Sequence, residues 1–473
     1  MAKIIFVNPP FTRYGGLKGH GGKSMPLNLC YLASYVRQKL PQHEYKILDA
    51  EAECMTYEQI EDWMEKEIPD IVGISLSTAA YEHCIHVLQS VKRVNPNAMT
   101  FAGGPHPTAM PEECVKEECL DFAVISEGEI TCYELIRSWL KKEKNFLNIK
   151  GIAYINHNRY VKTEPREFIP NLDELPFPAR DLAPLHLYAP SPTKRVSSGK
   201  STSILGERGC PHDCHYCVSP RFWKRTYRAR SPKNIVDEIQ ECVEKYGISE
   251  FNFHDDLFTL KKQRIMDFCK EIDNRNLKII FTIQSRVDTL DSEMLQMLAE
   301  AGCKKISFGF ESGSQEILDN VKKRATIEQA RKAVKMVNAA GIYSSGSFMI
   351  GNIGETTETI KKTIDFAKDL NLDTVAFQVT TPLPGTELYD IATEKGYIRN
   401  GIKLSDFVTV SKKLPVMNLP NLSSEDLLKW RKIAYRKFYM RPRYILKKLK
   451  QVNTRGSFKN IFEGLKLFIR VSS

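Results

Sequence analysis

Apolar residues along this chain fall alternately into short runs and into helical spacings. The first run, residues 3–7 (KIIFV), reads as a strand ended by Pro9 and Pro10. A helical spacing over 27–40 follows, then strand-like runs at 45–50 and 70–75 and a helix near 81–93. Further runs at 99–104 and 121–129 precede a helix reaching about residue 142. Strands separated by helices of this length predict βαβ units and a parallel sheet. Glycines follow several strand ends, at Gly15 and Gly16, Gly103 and Gly104, and Gly128. In doubly wound sheets, ligands bind at those carboxyl ends.

The alternation breaks at 146–199. This stretch carries a hairpin pattern at 151–165 and then a proline-rich run, and it reads as a surface connector. A second series begins near residue 201. Its strand-like runs are 202–207, 250–256, 278–285, 304–312, 344–352 and 374–382, with helical spacings at 233–246, 262–274, 292–301, 327–340 and 357–370 between them. Six βα units fall short of the eight of a closed barrel, so a partial barrel is expected. Cys210, Asp255, Asp256, Ser285, Arg286, Glu311, Asn352 and Pro382 all fall at the carboxyl ends of these strands, the active edge of such a barrel. The reading is an α/β chain divided into an N-terminal Rossmann-like domain (1–145), a connector (146–199), a partial (β/α)6 barrel of the TIM type (200–405) and a helical basic C-terminal region (406–473).

Composition changes this picture in two places. The apolar share of 42% is ordinary for globular cores, and no apolar stretch approaches the ~20 residues of a membrane span. The start lacks the pattern of a secretory leader, and most of the 12 cysteines lie singly in helix- or strand-like segments, so a reducing cytoplasm is expected. The net charge of +11 is concentrated: residues 429–473 hold 14 Lys or Arg against one acid, Glu463. The body is therefore close to neutral, which argues against nucleic acid as a partner. The basic tail, interleaved with aromatics, reads equally as a solvated helical cover or as peripheral contact with an anionic membrane at the inner face.

The densest chemistry is the stretch ERGCPHDCHYC, with Cys210, Cys214 and Cys217 spaced C-x3-C-x2-C. A disulfide needs two cysteines and a closed zinc site wants four ligands. Three thiolates on one loop can hold three irons of a cubane 4Fe–4S cluster and leave the fourth iron open to a substrate. Structural zinc, with His212 or His215 as a fourth ligand, is the alternative.

C-x3-C-x-aromatic-C after a first barrel strand resembles the radical S-adenosylmethionine (SAM) superfamily. The resemblance implies that the open iron binds SAM and that one electron cleaves it to a 5′-deoxyadenosyl radical. It places Tyr216 beside the adenine and Glu311, in GFESGS, at the ribose, with Ser312, Arg286 and Asp256 as further SAM contacts. Glu311 pairing with a core cation such as Arg286 is the bland alternative. Asp255 and Asp256 read equally as SAM or substrate contacts and as caps of the next helix. In the turn after the fifth strand, Asn352 and Ile353 replace the residues common in the family, which leaves a direct SAM role for that turn in doubt.

In the first domain, Asn8 follows the first strand, Ser75, Ser77 and Thr78 end the third, and Gly103 and Gly104 end the fourth. This spacing resembles cobalamin-binding domains, as does SEGE with Glu127 and Gly128. Small residues there would let the nucleotide tail of cobalamin lie on the backbone. Many such domains carry D-x-H-x-x-G, whose histidine ligates cobalt; here His20 has Lys18 two positions before it, so cobalamin without a histidine ligand is expected. A nucleotide-binding or vestigial domain is the alternative, and no G-x-G-x-x-G supports it.

Together these motifs resemble the cobalamin-dependent radical SAM methylases and the anaerobic magnesium-protoporphyrin monomethyl ester cyclases. The resemblance implies three cofactors: a 4Fe–4S cluster, SAM and cobalamin. It further implies an electron donor of the flavodoxin or ferredoxin type and a small-molecule or lipid-like substrate. Methylation of an unactivated carbon is the expected reaction. Oxidative cyclisation or ring rearrangement of a tetrapyrrole or lipid is the alternative, and an iron–sulfur sensor without turnover is the reading from another class. The motifs single out no catalytic residue beyond these binding groups.

Overall fold

The computed structural model describes residues 1–14, 22–190, 195–197, 199–408, 413–442 and 444–446. Its strands, in chain order, are β1 (Lys3–Asn8), β2 (Gly22–Lys23), β3 (Glu44–Asp49), β4 (Ile71–Ser75), β5 (Met99–Gly103), β6 (Phe122–Val124), β7 (Ile152–Asn156), β8 (Arg159–Lys162) and β9 (Ala189–Pro190). The second half adds β10 (Ser201–Ile204), β11 (Glu207–Arg208), β12 (Arg228–Ala229), β13 (Glu250–Phe253), β14 (Ile280–Ser285), β15 (Cys303–Glu311), β16 (Tyr343–Ile350) and β17 (Thr374–Val379).

The first sheet has the order β3-β1-β4-β5-β6-β7-β8, and its first five strands run parallel. β1 is apolar throughout because both of its faces are covered. Ile4 and Phe6 pack beneath the helices Leu27–Lys39 and Glu129–Leu140, while Ile5 and Val7 pack beneath Tyr57–Glu67 and Tyr81–Val94. The strand order reverses between β1 and β4, and that switch point is where doubly wound sheets bind ligands.

Two features depart from the sequence reading. The helix Tyr57–Glu67 is additional; Thr56 caps it in a reciprocal box with Gln59. The hairpin β7–β8, expected in the connector, instead extends the first sheet antiparallel to β6, so this sheet runs past residue 145. The apolar faces of Ile152 and Tyr154 find their cover in that sheet's core.

The second sheet is wholly parallel, in the order β10-β13-β14-β15-β16-β17, and its helices lie where the spacing predicts them. It is an open, six-stranded partial barrel. Its last strand is covered by the helix Ser424–Tyr439. The Tyr439 hydroxyl accepts from the Val375 amide (3.0 Å) and donates to the Val375 carbonyl (2.7 Å). Beyond β17 the chain returns to the first domain, where Leu404 packs against that domain's core and the Ser405 amide donates to Glu82. The connector is tied to the barrel by Arg180, fully buried and ion-paired with Glu238 at 2.6 Å. No helix among the described residues is long and apolar enough to cross a membrane.

Candidate active site

The carboxyl ends of the two sheets face a common cavity of about 430 Å3. The first domain contributes Ser75, Gly103, Gly104, Glu127 and Gly128 to its wall, with Phe6 and Phe101 deeper inside. The barrel contributes Leu205, Glu207, Arg208, Gly209, His254 and Asp256, flanked by Phe222 and Trp223. Motifs separated by more than a hundred residues thus line one space.

On the first-domain side, Gly104 has φ +124, and a Cβ there would lie 2.7 Å from the Leu76 carbonyl oxygen. Only glycine lets the chain turn so tightly beside the cavity. The Ser75 hydroxyl faces the cavity and accepts from Asn28. The remaining predicted polar residues of this domain lie behind the wall. Asn8 donates to Asp49 at 2.8 Å, and Asp49 also accepts from Tyr188. Thr78 is buried with its hydroxyl 3.0 Å from His106 Nδ1. Burial pushes His106 down to about 4, so this ring is neutral. Ser77 leads into the short 3-10 turn that carries Thr78. His20, Gly15 and Gly16 lie outside the described residues.

On the barrel side, the cysteine loop follows β11. Cys214 is buried, Cys210 and Cys217 are half-buried, and all three are free of disulfides. Burial pushes Cys217 up to about 12 and raises Cys210, and the thiols also disfavour one another's charge. Such thiols ionise when a metal takes up their charge. Among the described residues, no three His, Cys, Asp or Glu groups converge on a point as for a single metal ion. His215 is buried with Nδ1 unpartnered among the described residues, and its carbonyl accepts from Leu388.

Around this loop stand the residues predicted for SAM. Tyr216 donates to Glu311 Oε1 at 2.9 Å, and Lys323 holds the same oxygen at 2.8 Å. The core cation at Glu311 is therefore Lys323; Arg286 is engaged with Asp288 and the carbonyls of Lys323 and Arg324. Glu311 sits at φ +64, where a register shift interrupts β15, and a non-glycine residue there marks strain at a functional edge. Ser312 is fully buried and turned to Thr363. Asp256 faces the cavity and accepts from Ser219 at 2.8 Å, whereas Asp255 is wholly buried and accepts from the Gly206 amide at 2.6 Å. Neither caps the following helix, whose N-cap is Lys261 without a side-chain bond. In the turn after β16, Glu355 accepts from the amides of Gly351 (2.5 Å) and Asn352 (3.0 Å), and burial pushes it up to about 7. Its second oxygen and the Asn352 amide nitrogen are buried without a partner among the described residues, leaving hydrogen-bonding capacity for a bound molecule.

Sequence reasoning missed Arg208 and Arg228, which grip Glu127 and Glu129 across the domain boundary. For Arg208 the signal was its own charge inside ERGC, next to the cysteine loop, and the second acid of SEGE, Glu129; Arg228 left none in the motifs.

Two family models match this arrangement. The B12 binding domain matches residues 20–136 and the radical SAM superfamily matches 206–367. An uncharacterized methyltransferase of Pyrococcus horikoshii is 36% identical over 450 residues, covering 94% of each chain. The anaerobic magnesium-protoporphyrin IX monomethyl ester cyclase of Rubrivivax gelatinosus is 29% identical, over 94% of this chain and 78% of that one. The structure of the cobalamin-dependent SAM radical enzyme OxsB with aqua-cobalamin and SAM bound superposes with a TM-score of 0.76 at 19% identity, over 100% of this chain and 72% of that one. The chain belongs to the cobalamin-dependent radical SAM enzymes. Its cofactors are a 4Fe–4S cluster, SAM and cobalamin.

Proposed function

We propose that this enzyme methylates an unactivated carbon of a small-molecule substrate in the cavity between its two sheets. The observation that carries the proposal is the shared cavity: the wall expected to seat cobalamin lines the same space as the residues that flank the cysteine loop, Arg208 and Gly209 before it and Phe222 and Trp223 after it. A substrate there would meet both. When bound, the cluster supplies the electron that cleaves SAM to a 5′-deoxyadenosyl radical, and cobalamin supplies the methyl group.

The chain's own residues divide the remaining work. Cys210, Cys214 and Cys217 hold the cluster. Tyr216 and Glu311 orient the nucleoside of SAM, with Lys323 holding the Glu311 carboxylate in place, and Arg286 offsets the negative charge of the thiolates. The Glu355–Asn352 turn offers its free donor and acceptor to the same ligand. Ser75, Gly103, Gly104, Glu127 and Gly128 form the cobalamin seat, which Asn8, Ser77 and Thr78 support from behind. Asp256 and His254 face the substrate, and Phe222 and Trp223 keep water from the reacting centre.

An external one-electron donor of the flavodoxin or ferredoxin class completes the system, in a reducing cytoplasm. The basic tail, most of which lies outside the described residues, would bring the enzyme to an anionic membrane if the substrate is lipid-like. Oxidative ring closure is the second reading, supported by the similarity to the cyclase over 94% of this chain.

Turnover with S-[methyl-CD3]-adenosylmethionine separates the two. Methylation is expected to put the label in product and to yield 5′-deoxyadenosine and S-adenosylhomocysteine in equal amounts. With Cys210, Cys214 and Cys217 replaced by alanine, neither deoxyadenosine nor product should form. Unlabelled product lighter by two hydrogens would replace methylation with ring closure.

A further inference from the structure

The cavity wall contains a buried bridge whose geometry serves more than the packing of two domains. Arg208 lies two residues before Cys210, yet its guanidinium reaches into the first domain. Nη1 donates to Glu127 Oε1 at 2.8 Å and Nη2 to Glu129 Oε1 at 2.6 Å. Arg228, on the partner strand of the β11–β12 hairpin, donates to both oxygens of Glu127 at 2.9 Å and to the Ile169 carbonyl at 2.7 Å. All four charged side chains are less than 9% exposed. Glu127, Glu129 and Arg208 also line the cavity, and Glu129 Oε2 is buried with no partner among the described residues. That oxygen is a ready acceptor for an amide N–H of a ligand in the cavity, and the corrin ring of cobalamin carries such amides.

The path from this bridge to the cysteines is short and stiff. Gly209, the single residue between Arg208 and Cys210, has φ +91, and a Cβ there would lie 2.0 Å from the Thr226 carbonyl oxygen. The backbone is therefore clamped against the other arm of the hairpin. A shift of the loop at 127–129 cannot be absorbed by free rotation of side chains in water, because arginine's planar fork spans both carboxylates in a dry site.

We infer that Arg208 is a positioning residue that couples the two cofactor sites, so that filling the cobalamin seat favours the cluster-binding form of the cysteine loop, and the reverse. The inference rests on the assignment of those sites above. Coupling of this kind is reciprocal and amounts to roughly 5–150-fold in affinity where it has been quantified.

The test is equilibrium dialysis of hydroxocobalamin against the full chain, under anaerobic conditions, with the iron–sulfur site empty and then reconstituted with iron and sulfide. Wild-type protein is expected to bind cobalamin about 10-fold tighter once the cluster is in place. In Arg208→Lys, which keeps the charge but loses the fork, that ratio is expected to fall to near 1 while iron content stays at the wild-type level. Glu129→Gln, nearly the same size, is expected to shrink the ratio as well, and it decides the matter if Arg208→Lys does not fold. Equal affinities with and without cluster in the wild type overturn the coupling, as does a wild-type ratio retained in the folded variants. Wild-type protein that takes up no cobalamin or no iron would instead overturn the assignment of the sites.

Discussion

Two pairs of buried acids flank the cavity, and they differ in what they were given to face. Glu127 and Glu129 meet the forks of Arg208 and Arg228. For Glu129, burial pushes the carboxyl up, but the charge and hydrogen bond of Arg208 override it and hold the group below its ordinary value. Glu207 and Asp255 are equally buried and meet mainly backbone amides, those of Leu257 and Gly206. Burial, together with their mutual repulsion, pushes Glu207 up to about 8, and burial pushes Asp255 up to about 7, with the more distant Arg264 only partly offsetting this. Burial alone does not decide the charge of an acid; the presence of a matched cation does. One pair serves as a charged clamp between domains. The other holds a proton while pinning the loops after the first and second barrel strands.

The comparison breaks most visibly at Arg208. Arg208→Ala leaves two carboxylates underground with only Arg228, and is expected to cost about 3–5 kcal/mol of stability, read from urea unfolding near neutral pH. A loss below 1 kcal/mol would mean that the bridge is not desolvated.

The protonated pair gives a smaller effect of opposite sign. Its acids have folded pKa values above the unfolded ones, so the native state binds more protons between about pH 4 and 8. Stability from this pair is therefore full at the acidic end and is lost as pH rises toward 8. Glu129, with its depressed pKa, contributes the reverse: stability present above the ordinary carboxylate range and lost as pH falls. Glu207→Gln with Asp255→Asn is expected to raise stability at pH 8 by on the order of 1–3 kcal/mol and to flatten the slope below it, followed by thermal unfolding across pH 5–8. A steeper slope in the double variant would reverse the assignment of the proton.

The smallest effect belongs to an ion pair of similar length at the surface. Lys322 and Glu387 approach to 2.7 Å but are about two-fifths exposed. Lys322→Ala is expected to cost only about 0.2–1 kcal/mol in the same urea assay, and still less at high salt.

The elements were legible in the sequence because their causes are local. Alternating apolar runs gave all six barrel strands, and the spacing between them gave the helices. The helix at Tyr57–Glu67 was equally local, since Thr56 and Gln59 write its capping box, but it went unread among charged residues. The cysteine loop was legible because its chemistry needs particular atoms at a particular spacing. The first-domain wall of the cavity was legible only in part. Ser75, Gly103 and Gly104 do face the cavity, but Thr78 is drawn away by His106, a partner 28 residues on whose approach only the folded sheet sets. Lys323 at Glu311 and Arg208 at Glu127 were hidden for the same reason: each depends on how loops from separate units meet, and residue spacing carries no record of that.

The Tyr439 hydroxyl on β17 has a consequence for where the barrel can be cut. Without the helix Ser424–Tyr439, the last strand would show unsatisfied amides and carbonyls along its edge, those of Val375 among them, a template on which a strand from another copy can add. A fragment ending at residue 405, where the sheet pattern alone would place the end of the barrel, would keep every strand and every cysteine and still be prone to self-association. The barrel as a folding unit is therefore longer than the barrel as a pattern, and its final stave is a helix.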